Sequence, residues 1–232
     1  MTALSVALVL PLAFAALVAL VILAAVRTWK GNKRRRQANL AFAGGRGWSL
    51  VPEDPAFVDF CVTAPFGLGD GRRATEVTRG TYRDRGFVAF GYQYDTESTD
   101  GQGHSTRTTH HLRIASVAVA GRIPIVRITP EGVFSRMAEA MGGRDIDVES
   151  EDFNRHWRVW SKDQRAAHAI LAPNVIQRLL QPDASSRPFV FEPGLLMTYE
   201  AGPLDLTVAE ERLDRLCDVA DLVPKFLADD YR

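Results

Sequence analysis

The chain has 232 residues, with 28 basic and 28 acidic side chains, 5 His and only 2 Cys. Its neutral total hides a polarity: residues 1–36 hold six basic residues and no acid, which leaves 22 basic against 28 acidic in 37–232, a net of −6. A mildly acidic body excludes a general nucleic-acid binder, which needs a basic surface. Two Cys exclude a disulfide-stapled scaffold and a Cys-rich zinc domain.

From Leu4 to Val26 only Ser5 and Pro11 fall outside the apolar set. Twenty-three helical residues reach roughly 34 Å, slightly more than a hydrocarbon core of about 30 Å. This predicts a transmembrane helix over 4–26, after a short external stretch at 1–3. A cleaved signal peptide fits poorly, because Met1-Thr2-Ala3 lacks a basic side chain and the apolar run is too long. A basic juxtamembrane linker follows over 27–47. Within it Arg27, Trp29, Lys30, Lys33, Arg34, Arg35 and Arg36 are the candidate membrane-interface and lipid-headgroup residues. The positive flank lies C-terminal to the span, so the positive-inside rule places the N-terminus outside and the body in the cytoplasm. The expected localisation is the plasma membrane, single-pass, with the lipid bilayer as first partner and buried thiols at Cys61 and Cys217 rather than a bridge.

A globular unit is expected from 48 to 232. Pro52-Glu53-Asp54-Pro55 opens a short helix carrying Phe57, Phe60 and Cys61. Strands are expected at Arg73–Tyr82 and Phe87–Tyr94, joined by a turn at Arg83–Gly86, with Val88, Phe90, Tyr92 and Tyr94 on one face. Polar Asp95–Ser105 reads as a loop. Thr106–Ala120 and Ile123–Ile128 read as strands, and Pro130–Gly132 turns into a helix through Met141. Ile146–Val148 and Phe153–Trp160 read as strands. Ser161–Gln164 resembles a capping box for a helix with Ala166, Ala167, Ile170 and Leu171, followed after Pro173 by a second helix through Leu180. Pro188–Glu192 and Leu195–Glu200 form a hairpin, and Thr207–Glu210 caps a last helix with Leu213, Leu216, Val219, Ala220 and Val223. Hairpins without βαβ alternation give an α+β class: an N-terminal transmembrane helix, then a mostly antiparallel sheet with packed helices.

Arg46-Gly47-Trp48, Pro65-Phe66-Gly67, Phe90-x-Tyr92-x-Tyr94, Pro130-Glu131 and Asp152-Phe153-Asn154-Arg155 occur in order, followed by Ser161-x-Asp163-x-x-Ala166-x-His168-x-x-Leu171-x-Pro173. This set resembles a family of uncharacterised actinobacterial proteins with one N-terminal transmembrane helix and one globular domain. The likeness covers most of 44–228, with departures at Trp157 and Ile123. It implies the anchor-plus-domain layout and no catalytic residue.

The chemistry-bearing residues are few. His104, His110 and His111 lie near Asp95, Glu97 and Asp100, but neighbours on a strand point to opposite faces and cannot share an ion. Gly67, Gly69 and Gly71 lack the Lys-Ser/Thr of a phosphate-binding loop and read as a tight turn. The cluster Asp145–Arg158 reads as a solvated charged face, with Asp152 or Asn154 tying the local backbone. Tyr92, Tyr94, Trp157 and Trp160 read mainly as packing, with an aromatic peptide-binding face as the rival. The sequence therefore predicts a membrane-anchored, non-enzymatic interaction or scaffold module, with an unknown protein partner, no nucleic acid and no cofactor. The rival is a membrane-tethered hydrolase or metal-dependent enzyme using His104 or His110 and nearby carboxylates.

Overall fold

The computed structural model describes the backbone of residues 3–131, 144–184 and 187–232, and the side chains of those ranges except 3–16 and 144–145. The expected helix after Pro130 lies largely outside the described residues. Two compact units result, residues 1–42 and 43–232. Nearly all of the first is one helix, α1 (Ala3–Gly45), which runs through most of the expected linker and ends in the stretch Gly44-Gly45-Arg46-Gly47. Among the described residues no helix is long and apolar enough to cross a membrane. The first part of the Leu4–Val26 run falls in residues whose side chains lie outside that description.

In the second unit, nine strands among the described residues form one sheet, and every described pairing is antiparallel. In chain order they are β1 (Ser49–Glu53), β2 (Asp70–Tyr82), β3 (Arg85–Thr99), β4 (Ser105–Ala118), β5 (Val126–Pro130), β6 (Arg144–Asp145), β7 (Trp157–Ser161), β8 (Phe189–Glu192) and β9 (Leu195–Ala201). The sheet order is β1-β2-β3-β4-β9-β8-β5-β7-β6. Among the described residues the α-helices of this unit are α2 (Glu151–His156), α3 (Gln164–Ile170), α4 (Pro173–Leu179), α5 (Leu206–Leu222) and α6 (Lys225–Asp230). The α+β, mostly antiparallel class holds.

Alternation along β3 builds two cores. Phe90, Tyr92 and Tyr94 join Cys61, Phe66, Val77, Ile114, Met197 and Tyr199 in a buried cluster, with Val88 packed against it. Phe57 and Phe60, on the segment that follows β1, close that face with rings 5.5 and 5.6 Å from Phe90. The opposite face of β3 carries Phe87, Ala89 and Gly91, and α5 packs across β3, β4 and β9. A Cβ at Gly91 would lie 2.9 Å from the Thr75 hydroxyl, so that strand position has no room for a side chain. The buried stripe of α5, including Leu213, Leu216, Val219 and Ala220, follows the 3.6-residue period read from sequence.

Several boundaries differ from the sequence reading, each for a physical reason. The expected loop Asp95–Ser105 shrinks to 100–104, because β3 and β4 stay paired out to Thr99 opposite Ser105. A ribbon exposed on both faces needs no apolar alternation, and its Thr and Ser residues suit strand geometry. Edge strand β1 is mostly exposed and holds Pro52, so it carries little hydrophobic signal. The expected strand Phe153–Trp160 begins instead as α2: the Ser150 hydroxyl accepts from the Phe153 amide at 3.3 Å, with Glu151 and Asp152 in the first turn and Arg155 and His156 in the last. That charge order complements the helix dipole. The expected strand Ile146–Val148 is replaced by the shorter β6 just before it. The cap of α3 is Asp163, not Ser161; Ser161 instead donates to the Ile125 carbonyl at 2.8 Å. Likewise Asp205 caps α5, ahead of the expected Thr207.

Candidate functional site

The seven candidate interface residues sit on α1. Arg27, Lys30, Lys33, Arg34 and Arg36 are exposed, as is Trp29 at 63%. Arg35 is half-buried, and its Nη1 donates to Asn32 Oδ1 at 3.2 Å. Lys33 Nζ lies 5.5 Å from the centroid of the Trp29 ring one turn earlier, a cation–π contact. At 3.6 residues per turn, positions 27, 30, 33, 34, 35 and 36 do not line one side. They run round the whole circumference, so the basic residues form a collar rather than a stripe.

The other candidates are dispersed. His104 is at the hairpin tip, where Asp100 Oδ1 accepts from the Gln102 and His104 amides at 2.9 Å each. His110 lies six residues on, about 20 Å along an extended strand. There it stacks on Tyr94 at 4.7 Å and its Nε2 shares a hydrogen bond with Thr96 at 2.8 Å. His104 and His110 therefore cannot act on one atom. On the other face of the same ribbon, Asp95 accepts from the Thr109 hydroxyl and the Arg107 guanidinium at 2.6 Å each. Those two bonds hold its carboxyl below the usual range. Among the described residues no group of His, Cys, Asp and Glu is arranged to hold a metal ion.

Gly67, Gly69 and Gly71 all have positive φ (77°, 57° and 59°). A Cβ at Gly71 would sit 2.7 Å from Asp95 Oδ2, and one at Gly69 would clash with the Asp95 carbonyl, so those two glycines bring the start of β2 close against β3. In the Asp145–Arg158 cluster, Asp147, Glu149, Glu151 and Asp152 face solvent. Asn154 bonds both backbone groups of Val148, at 3.1 and 2.7 Å, as the sequence allowed. Tyr92, Tyr94 and Trp157 are buried, and Trp157 stacks on Phe153 at 6.1 Å. They are core and offer no binding face. Cys61 and Cys217 are free and buried.

The described residues of the second unit line concavities on its surface. One, of about 790 Å³, runs between α3, α4 and the segment before α2, with Asp147, Glu149, His168, Ile176, Leu180 and Phe226 in its walls. A smaller one of about 470 Å³ includes Val62, Ile125, Trp160, Lys162 and Asp163.

A cluster that no motif announced lies where β4 and β9 pair. Glu200 stands opposite Arg113 and is ion-paired with Arg113 Nε at 2.7 Å, Arg187 Nε at 2.8 Å and the Arg212 guanidinium. Burial favours the neutral acid, but Arg187, Arg212 and Arg113 outweigh it and hold the Glu200 carboxyl below its usual range. These residues are up to 99 positions apart in sequence; the β4–β9 register sets Arg113 opposite Glu200, and α5 packed across β4 and β9 brings Arg212 to them.

Residues 108–191 match the family described as Protein of unknown function (DUF3137). That match covers a little over a third of the chain, from early β4 through most of β8. No curated protein matches. The crystal structure of the mycobacterial trehalose monomycolate transport factor A, TtfA, is similar with a TM-score of 0.54 at 14% identity, over 82% of this chain and 92% of that one. At that identity the likeness is one of fold. The DUF3137 match contains His110, His111, Arg113, Arg187 and the Asp145–Arg158 cluster, and excludes the basic collar of α1.

Proposed function

We propose that the chain is a single-pass membrane protein with its N-terminus outside and residues 48–232 in the cytoplasm, acting as a non-enzymatic accessory module of a transport assembly. The observation that carries the membrane part is the collar. A helix lying flat on a bilayer needs one polar and one apolar face. A helix passing through the interface meets headgroups on all sides, which suits basic residues spread round its circumference beside an exposed Trp29. The apolar run Leu4–Val26 directly precedes them. The accessory role draws support from the fold likeness to a mycobacterial transport factor. The chemistry fits: the candidate His residues are separated and tied into local structure, while the unit offers grooves to a protein partner.

The test is topology. Reporters active in one compartment are fused after Arg232 and near Trp48, on a chain that keeps residues 1–47. Activity of both only in the cytoplasm supports the reading, and release of the chain from membranes by salt or alkali overturns the anchor. Activity only outside overturns the orientation.

A further inference from the structure

The cluster around Glu200 is unbalanced in charge. Three guanidiniums share one carboxylate, which leaves two positive charges in a half-buried place. Side-chain exposure is 25% at Arg113, 21% at Arg187, 18% at Glu200 and 6% at Arg212. The donors are not used up. Arg212 Nε is buried with no hydrogen-bond partner among the described residues, and Arg113 Nε, though close to Glu200, is not aligned to bond it. Arg187 reaches Glu200 through Nε, and among the described residues its two terminal nitrogens make no hydrogen bond. The largest charge effects on Arg212 come from Glu200, which favours its charged form, and from Arg113 and Arg187, which oppose it. Beside the cluster, Gly202 presents bare backbone: a Cβ there would lie 3.7 to 3.9 Å from the Arg113 guanidinium carbon and both terminal nitrogens.

Buried like charges without a counter-ion are costly, and a protein that keeps them has a use for a missing anion. We propose that Arg113, Arg187 and Arg212 form a binding site for a phosphate group, with Glu200 fixing their forks. Guanidinium forks match phosphate oxygens in a bidentate way. A phosphate monoester carries about −1.5 to −2 near neutral pH, which closes the charge excess where a carboxylate would leave half of it. Burial works against the charged form of Arg212, and an added dianion relieves that cost. The phosphate comes either from a soluble phosphate ester or from an anionic phospholipid headgroup. The site stands on its own residues and does not depend on how α1 meets a membrane.

The experiment uses the full chain in an uncharged detergent. Inorganic phosphate is titrated by calorimetry at constant ionic strength, with chloride and acetate as controls. The expected result is one saturable phosphate site per chain, a higher unfolding temperature in phosphate than in chloride, and weaker binding of acetate. Arg113→Gln and Arg187→Gln each weaken phosphate roughly tenfold or more, since each removes charge-assisted bonds. Glu200→Gln tightens it, which a merely structural cluster would not do. Phosphate that neither saturates nor stabilises the wild-type chain overturns the proposal, as does binding unchanged in both Arg variants or acetate binding as tightly as phosphate. The thermal measurement on wild type keeps the test decisive if a variant fails to fold. The source is read in nanodiscs: if phosphatidic acid but not phosphatidylcholine suppresses inorganic phosphate binding, the headgroup occupies the site, and equal binding in both assigns it to a soluble ester.

Discussion

Glu192, buried at the end of β8, accepts from the Val62 amide at 3.1 Å and from the Thr63 amide and hydroxyl at 2.8 and 2.6 Å. One carboxylate thus satisfies three donors of the segment that closes the aromatic core. Buried donors left unpaired cost far more than a formed bond contributes. Glu192→Ala is therefore expected to destabilise the chain by about 3 kcal/mol, and Glu192→Gln by less because it keeps an acceptor, both read from thermal or denaturant unfolding. The neighbouring thiol reports the same environment. Burial, then the Glu192 charge, pushes the Cys61 thiol well above the usual range. Since the thiolate is the reactive form, alkylation of native protein at pH 8 should run at least roughly tenfold slower than for a free thiol. Glu192→Gln, by removing the charge, should speed modification at Cys61 and leave Cys217 unchanged, as peptide mapping would show. Equal, fast labelling of both cysteines in the folded protein would contradict this placement.

At the scale of elements, caps fix where helices start. Asp163 Oδ1 accepts from the Ala166 amide at 2.9 Å, and Oδ2 accepts from the Tyr231 hydroxyl at 2.7 Å, tying α3 to the chain after α6. The Ala166 amide first, then Tyr231, holds the carboxyl below its usual range. A depressed folded value means that the stabilisation is fully present above the unfolded value, near 4, and is lost as pH falls through the folded one. Asp163→Ala should cost about 1 kcal/mol at neutral pH. Asp163→Asn keeps a cap, so it should lose less there and show a shallower fall of unfolding temperature below pH 4. An unchanged acid limb would refute the assignment. The same cap marks what the sequence could reveal. The apolar period of α3 and α5 was legible, but Ser161 and Asp163 both offer a capping oxygen, and tertiary contact with Ile125 decided between them. The β2–β3 turn was legible in place, with Arg83 and Asp84 both at positive φ as a tight hairpin needs. The outer half of β3 and β4 was not, because its side chains are solvated on both faces. Nor was the Glu200 cluster, whose members meet only through strand register and the packing of α5 on the sheet.

For the whole molecule, charge is segregated along the chain: six basic residues and no acid in 1–36, then a net of −6. If the collar sets orientation, its charge matters more than its shape. The bias counts Lys and Arg close to the ends of a span, and acids contribute little. Replacing Lys30, Lys33, Arg34 and Arg36 with Gln keeps good helix formers at every position and spares the half-buried Arg35. It removes about 1 kcal/mol of attraction to an anionic leaflet per residue. The helix should persist while the orientation bias falls, so a reporter after Arg232 should turn from one compartment to a mixture of both. Adding Lys residues before Leu4 in the same variant should then complete the inversion. A reporter that stays cytoplasmic through both changes would mean that the folded body, rather than the collar, dictates which side it occupies.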